Sequence, residues 1–317
     1  MVIGGVEMFN IVEKRQWFFA LSGLLVLFSI AAMVVSAIQF GQPMRIGIDF
    51  TGGSIFVLKF DRILSEDDLR QAFVDYGLES AIVQPLGSPE ERTWQVRTRE
   101  VTADEVDQLL SVLDTQVGKI DRDVLRFDTV EPAVGGEVAR SAGLAVLIAA
   151  LVIVAFIWFS FRRVPNAFRY GVCTIAGMMY NLIVSFGFYA LMGLLAGWEV
   201  DALFLTAILT VIGFSVQDVI VVFDRIRENI PRHRGEPYEM VVNRSILETI
   251  HRSLATQLNA MFVMIAIILF GGATIKPFIA TMLVGMVSET YSAIFIAVPL
   301  LVVWEKAAAR RAALATA

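Results

Sequence analysis

Cysteine and histidine are nearly missing from this sequence, with one Cys and two His in 317 residues. Cys173 stands alone inside an apolar block, so a disulfide framework or a Cys-based metal site within one chain is excluded. His233 and His251 fall in a polar region without metal-ligand spacing, and surface or interfacial histidines are expected there. There is no GxxxxGK[ST] motif, and Gly52-Gly53 is too short for a phosphate loop, so no site for a nucleotide is expected. HExxH is also absent. The acid at Asp218 has no second acid in a GxGD-like setting, which argues against an intramembrane enzyme. Basic residues are outnumbered, 26 to 31, giving a net charge of −5 and no nucleic-acid footprint.

What the chain has in excess is apolar residues, at 56%, with a mean hydropathy of +0.68. They lie in long blocks. A bilayer core needs about 20 apolar residues of helix, and six stretches qualify: 17–38, 141–161, 168–196, 202–223, 255–272 and 278–304. The fifth is short and polar at its start. The first is longer than a signal-peptide core and lacks a small-residue cleavage motif, so it is expected to remain as a span.

Lys and Arg in the short connections set the orientation. Lys14 and Arg15, then Arg162, Arg163 and Arg169, then Arg225, Arg227, Arg232, Arg234 and Arg244, then Lys306, Arg310 and Arg311 all fall on one side of a six-span chain. The opposite short connections hold Glu199 and Asp201, then Lys276. This predicts a cytoplasmic N-terminus at 1–16, span one at 17–38 and an extracytoplasmic segment at 39–140. Spans two to six follow within 141–304, with a cytoplasmic loop at 225–254, and a cytoplasmic C-terminus at 305–317.

Segment 39–140 differs in character, with 11 Lys/Arg and 19 Asp/Glu. SIFVLKF at 54–60 reads as a strand. Ser65-Glu66-Asp67-Asp68 opens a helix carrying Leu69, Ala72, Phe73 and Tyr76, which Gly77 closes. AIVQPL at 81–86 and TWQVRT at 93–98 suggest a hairpin around Gly87-Ser88-Pro89. Thr102-Ala103-Asp104-Glu105 is a capping box before a helix bearing Val106, Leu109, Leu110 and Leu113, and VLRFDTV at 124–130 is the last strand. The order βαββαβ predicts a ferredoxin-like α+β domain. Its acidic surface is a solvated face or a docking surface for a translocating or partner protein. It holds no catalytic constellation.

Ionisable groups at membrane depth cost about 2.5–3.5 kcal/mol on insertion scales and point to function. Asp218 lies six residues before Asp224, about 9 Å deeper along a helix. Thr206, Thr210, Ser215, Gln217 and Asp218 are expected on one broad side of this span. Asp218 is either a proton-accepting carboxylate or a structural one bonded to a neighbouring span. Arg252, with Thr256 and Asn259 on its helical face, is a positive-inside anchor or a cation that pairs with Asp218. A nearby guanidinium favours the charged carboxylate and its departure favours the neutral one, the simplest scheme for proton coupling. Asn181, beside Tyr180, is packing glue between helices or a hydrogen-bonding member of the same site. Glu289 is a second intramembrane acid that joins the relay or meets a partner subunit.

Three segments resemble the SecD/SecF family of protein-export membrane proteins, which is related to the resistance-nodulation-division transporters. RIGIDFTGGS at 45–54 is similar to the signature shared by the SecD and SecF branches. VIGFSVQDVIVVFDRIREN at 211–229 resembles the fourth-span signature of the SecF branch, and YEMVVNRSILETIHRSL at 238–254 the helix leading into its fifth span. The resemblance covers nearly the whole chain. It implies half of a repeat-built six-helix bundle, completed by SecD, in the bacterial inner membrane among its lipids. It also implies assistance to the SecY channel complex in late steps of preprotein export, driven by the proton-motive force, with protons as coupling ion and no other cofactor. Asp218 matches the family's coupling Asp, Arg252 the Arg that works with it, and Gly47, Asp49, Phe50, Thr51, Gly52 and Gly53 the signature.

Three positions depart from the family pattern. Tyr180-Asn181 stands where His-Asp is frequent, Thr256-Gln257 where Thr-Ser is, and Glu289 where Gly is. If Glu289 compensates for the acid missing at Asn181, the relay has moved. Two rival functions remain open. A small-molecule or lipid exporter of the same superfamily would need a large apolar extracytoplasmic pocket, for which about 90 residues leave little room. A scaffold of the export channel would tolerate neutral residues at Asp218 and Arg252.

Overall fold

A computed structural model describes residues 2–3, 6–7, 10–79, 81–86, 91–162, 167–272 and 275–316. The expected turn at Gly87-Ser88-Pro89 and Arg163 lie outside the described residues. A two-residue pair, β1 (Val2–Ile3) and β2 (Val6–Glu7), precedes the long helix α1 (Arg15–Phe40). Next come α2 (Ile48–Thr51), β3 (Gly53–Lys59), α3 (Glu66–Asp75), β4 (Ile82–Pro85), β5 (Thr93–Thr98), α4 (Ala103–Gln116) and β6 (Arg126–Val130). Helices α5 (Pro132–Phe161), α6 (Ala167–Ala196), α7 (Ala202–Arg232) and α8 (Tyr238–Phe270) follow. Then α9 (Lys276–Ser292) passes through a π turn at Ala293–Ala297 into α10 (Val298–Thr316).

Among the described residues, six helices are long and apolar enough to cross a membrane, with α9 and α10 counted as one. The chain divides into two compact units. One comprises Met1–Met44, Val146–Leu191 and Leu203–Ala317. The other comprises Arg45–Ala145 together with Met192–Ala202, the connection between α6 and α7.

In the helical unit, small residues let backbones approach closely. A Cβ on Gly187 of α6 would stand 2.4 Å from the Cα of Ser29 on α1. One on Gly285 of α9 would meet Val211 of α7 at 2.2 Å. The segment 225–254 is mostly helical. Arg225 of α7 bonds Glu248 of α8 at 2.6 Å, and the buried Asn229 donates to Ser245 at 3.0 Å. Helix α5 is apolar all round and leaves Leu144, Leu147, Leu151 and Trp158 exposed, as suits a surface in contact with lipid or a partner.

In the second unit the sheet runs β4-β5-β3-β6 with every pair antiparallel, the ferredoxin-like order. Alternation in β3 and β5 turns Phe56, Leu58, Trp94 and Val96 inward onto Leu69, Phe73, Leu109 and Leu113 of α3 and α4. Phe56 packs against Phe127 at 4.9 Å and Phe73 at 6.0 Å between ring centres. Ser65 Oγ accepts the Asp68 amide at 3.1 Å to start α3, and Glu105 accepts the Thr102 amide at 3.0 Å in the α4 capping box. The acid-rich segment thus builds its own apolar core.

Candidate functional site

Helix α7 buries one carboxylate, on Asp218, which is 7% exposed. Its neighbour is neutral. Gln257 of α8 donates its amide Nε2 to Asp218 Oδ2 at 3.2 Å, and Ser253, one turn earlier on α8, stands beside the same carboxylate. The same Nε2 donates to Glu289 Oε2 of α9 at 3.0 Å. Glu289 is fully buried and faces the interior of the bundle, so the reading in which it meets a partner subunit is set aside. One amide therefore joins carboxyls from two other helices. Among the described residues, Gln257 Oε1 and Glu289 Oε1 are both buried without a hydrogen-bond partner.

Asn181 is also fully buried, but it belongs to an adjoining cluster. It donates to Ser215 of α7 at 2.9 Å and accepts from Ser288 of α9 at 2.8 Å. This ties α6, α7 and α9 together through the residue that precedes Glu289. Tyr180 lies buried with its ring 6.1 Å from that of Tyr291. The π turn that begins right after Ser292 lies one turn beyond Glu289. Such turns recur at functional sites because they interrupt the regular backbone ladder.

Of the two readings of Arg252, the pairing with Asp218 is not formed in this structure. Arg252 is exposed on α8, as are Thr256 and Asn259, and its guanidinium has no ion pair among the described residues. The reason is angular. Ser253 and Gln257, four residues apart, share the face turned to α7, and Arg252 lies about 100° round the helix from Ser253. The polar residues of α7 also split. Ser215 and Asp218 are buried, whereas Thr206 and Gln217 are exposed.

The signature residues form a separate cluster in the other unit. Gly52 and Gly53 have φ of +72° and +119° and turn the chain from the single helical turn α2 into β3. A Cβ on Gly52 would stand 2.5 Å from the Cα of Pro132, so both the conformation and the space require glycine. Phe50 and Thr51 complete α2, and Thr51 Oγ1 accepts from Arg97 at 2.6 Å. Gly47 N–H donates to Val200 O and Val200 N–H to Arg45 O, each at 2.7 Å, which fastens the α6–α7 connection to the signature. Glu199 from that connection lies 3.3 Å from both Arg45 and Arg97. Burial is the larger influence on this pair, pushing the Glu199 carboxyl up and pulling the Arg45 guanidinium down, and their mutual attraction offsets part of it. The cost of burying both charges offsets much of what such a pair gains from their attraction. Asp49 Oδ2 accepts the amide of Ala202, the first residue of α7, at 2.9 Å.

Asp218, Asn181 and Glu289 stand out in the sequence as polar residues in apolar runs. Gln257 stands out there only as a departure from a family pattern. The signal was its spacing of four from Ser253 on an otherwise apolar helix. Glu199 was counted only as an acid in a short loop.

Comparison with known proteins agrees with this arrangement. Residues 111–307 match the family model for the C-terminal region of protein export membrane proteins SecD/SecF, and residues 38–62 match the SecD/SecF GG motif. A protein translocase subunit SecF from Thermobaculum terrenum is 40% identical, over 94% of both chains. One from Anaerolinea thermophila is 43% identical, over 94% of both. The crystal structure of SecDF from Thermus thermophilus, a translocon-associated membrane protein, superposes with a TM-score of 0.79 at 26% identity. That match covers 96% of this chain and 40% of the SecDF chain. With its six apolar helices, its GG segment and relatives along nearly its whole length, the chain is a multi-pass membrane protein and belongs to the SecF family of protein translocase subunits.

Proposed function

We propose that this chain is the SecF half of a SecD–SecF pair in the bacterial cell membrane, which uses the proton-motive force to assist late steps of preprotein translocation through the SecY channel complex. Its two termini are cytoplasmic and residues 39–140 face the other side. The observation that carries this reading is the setting of Asp218. It is a carboxylate buried in α7 whose partners are the neutral Gln257 and Ser253. A buried carboxylate without a counter-cation is held at a cost that a proton removes.

Arg252 supplies the other state. It is exposed in this conformation, and its pairing with Asp218, or with a carboxylate of SecD, alternates with proton uptake during the cycle. One charge crossing 100 mV yields about 2.3 kcal/mol, enough to bias a conformational step. SecD completes the bundle, because repeat-built transporters place their coupling site where two halves meet. The coverage of 40% of the SecDF chain supports a half-transporter of this kind.

The test is Asp218→Asn in vesicles that contain SecY complex and the SecD partner. The variant assembles normally and loses the stimulation of export by a proton gradient. Gradient-stimulated export equal to the parent's would overturn the assignment.

A further inference from the structure

Gln257 donates from one nitrogen to Asp218 at 3.2 Å and to Glu289 at 3.0 Å, while its own carbonyl Oε1 and Glu289 Oε1 have no partner among the described residues. Gln257 is 5% exposed and Glu289 is 0% exposed. An ionised carboxylate and an amide carbonyl are both pure acceptors. A proton on Glu289 turns one idle acceptor into a donor, and the idle Gln257 carbonyl is an acceptor on the adjoining side chain. No other single change of protonation at these two residues gives both oxygens a use.

Charge points the same way. Among the described residues, Asp218 on α7 is the titratable group that faces Glu289. Helix α8 offers it the neutral Gln257, while Ser253 stands beside Asp218, and the neutral Asn181 of α6 bonds Ser288, the residue before Glu289. Two carboxylates joined through one amide in a dry interior do not both ionise. Of the two, Glu289 is the one sealed from the surroundings, whereas Asp218 keeps 7% of its surface exposed.

We propose that Glu289 is a second proton-carrying carboxyl of this bundle, linked to Asp218 through Gln257, so that the two acids hold one proton between them at rest and exchange a second. At rest Glu289 carries the proton and the pair has one negative charge. Uptake forms an O–H bond on Asp218 and converts a hydronium ion to water, leaving the pair neutral. Release to water on the other side restores the negative charge. Gln257 acts as a positioning residue, since its one amide nitrogen holds both acids. Two departures from the family pattern, Gln257 and Glu289, thereby form one contact and function as a unit. The proposal rests on the reading of Asp218 as the coupling acid.

The test is infrared spectroscopy of the complete chain in complex with its SecD partner. The stretching band of a protonated, water-inaccessible carboxyl is followed against pH. The parent shows such a band at neutral pH, Asp218→Asn retains it, Glu289→Gln loses it, and Gln257→Leu shifts its frequency. Glu289→Asp keeps the acid and keeps a band, which separates loss of the proton from loss of the fold. A parent without the band, or a band unchanged in Glu289→Gln, overturns the shared proton and leaves the coupling role of Asp218 standing. Gradient-driven export surviving in Asp218→Asn overturns that role and leaves the band assignment standing.

Discussion

Gln257 carries no charge, and its single amide nitrogen reaches Asp218 at 3.2 Å and Glu289 at 3.0 Å. An ionisable residue in an apolar run stands out because of its insertion cost. Asp218 and Glu289 were visible for this reason. An amide in the same run carries a smaller cost and reads as packing, although here it is the group that brings two acids together. Arg252 shows the converse. Its charge made it conspicuous, but a difference of one position from Ser253 takes it off the face that meets α7. Local motifs read best. The capping box at Thr102–Glu105 was legible from spacing alone and is present as expected. Accepting the Thr102 amide, with Arg99 alongside, holds the Glu105 carboxyl below the usual carboxylate range. Because the shift is downward, this stabilisation is complete above the ordinary Glu value and is lost as pH falls through the lowered one. Amide protection in the first turn of α4 will exceed that of Glu105→Ala at neutral pH. The difference, corrected for intrinsic exchange, will vanish on acidification. A gap that stayed constant with pH would show that the ionised carboxylate adds nothing to the cap.

Elements were legible wherever one period dominated. The apolar runs gave the six long helices, and alternation gave β3 and β5 with TWQVRT matched residue for residue at 93–98. The sequence did not reveal which helices touch, because lipid-facing and helix-facing residues in a span are equally apolar. Close contacts depend instead on single small residues. Gly187 is the clearest, since the atoms that would meet its Cβ include the Cα of Ser29 at 2.4 Å, which no side-chain rotation can move. Gly187→Ala will therefore separate α1 from α6 and lower stability by about 1–3 kcal/mol. Thermal unfolding in detergent measures this, and Gly213→Ala is the control because its Cβ would meet nothing within 4 Å. Equal melting of the two variants would mean that the α1–α6 contact is looser than described. The π turn at Ala293–Ala297 was likewise unreadable, since AIFIA fits a regular helix equally well.

At the scale of the molecule, composition separates an apolar part from a charged insert at 39–140, whereas the compact unit that holds Arg45–Ala145 also takes in Met192–Ala202. The hydropathy of α6 and α7 runs up to both sides of this short connection, and nothing local records that Glu199 and Val200 find their partners beyond residue 44. Orientation can be tested directly because Cys173 is buried and is the chain's one cysteine. A cysteine at the exposed Ser111 will react with a membrane-impermeant maleimide added to intact cells or spheroplasts, whereas one at Ala309 will react only after permeabilisation. The reverse pattern would invert the proposed topology.

The fastening of residues 192–202 also decides where this protein can be modified without harm. An epitope tag or fluorescent reporter spliced between Gly197 and Val200 would enter what hydropathy marks as an ordinary surface hairpin, yet it would sever a folded body from within, since Gly197 lies against Gln84 and Val200 is bonded on both sides. The turn at Gly235, with open space around it, is where such cargo belongs.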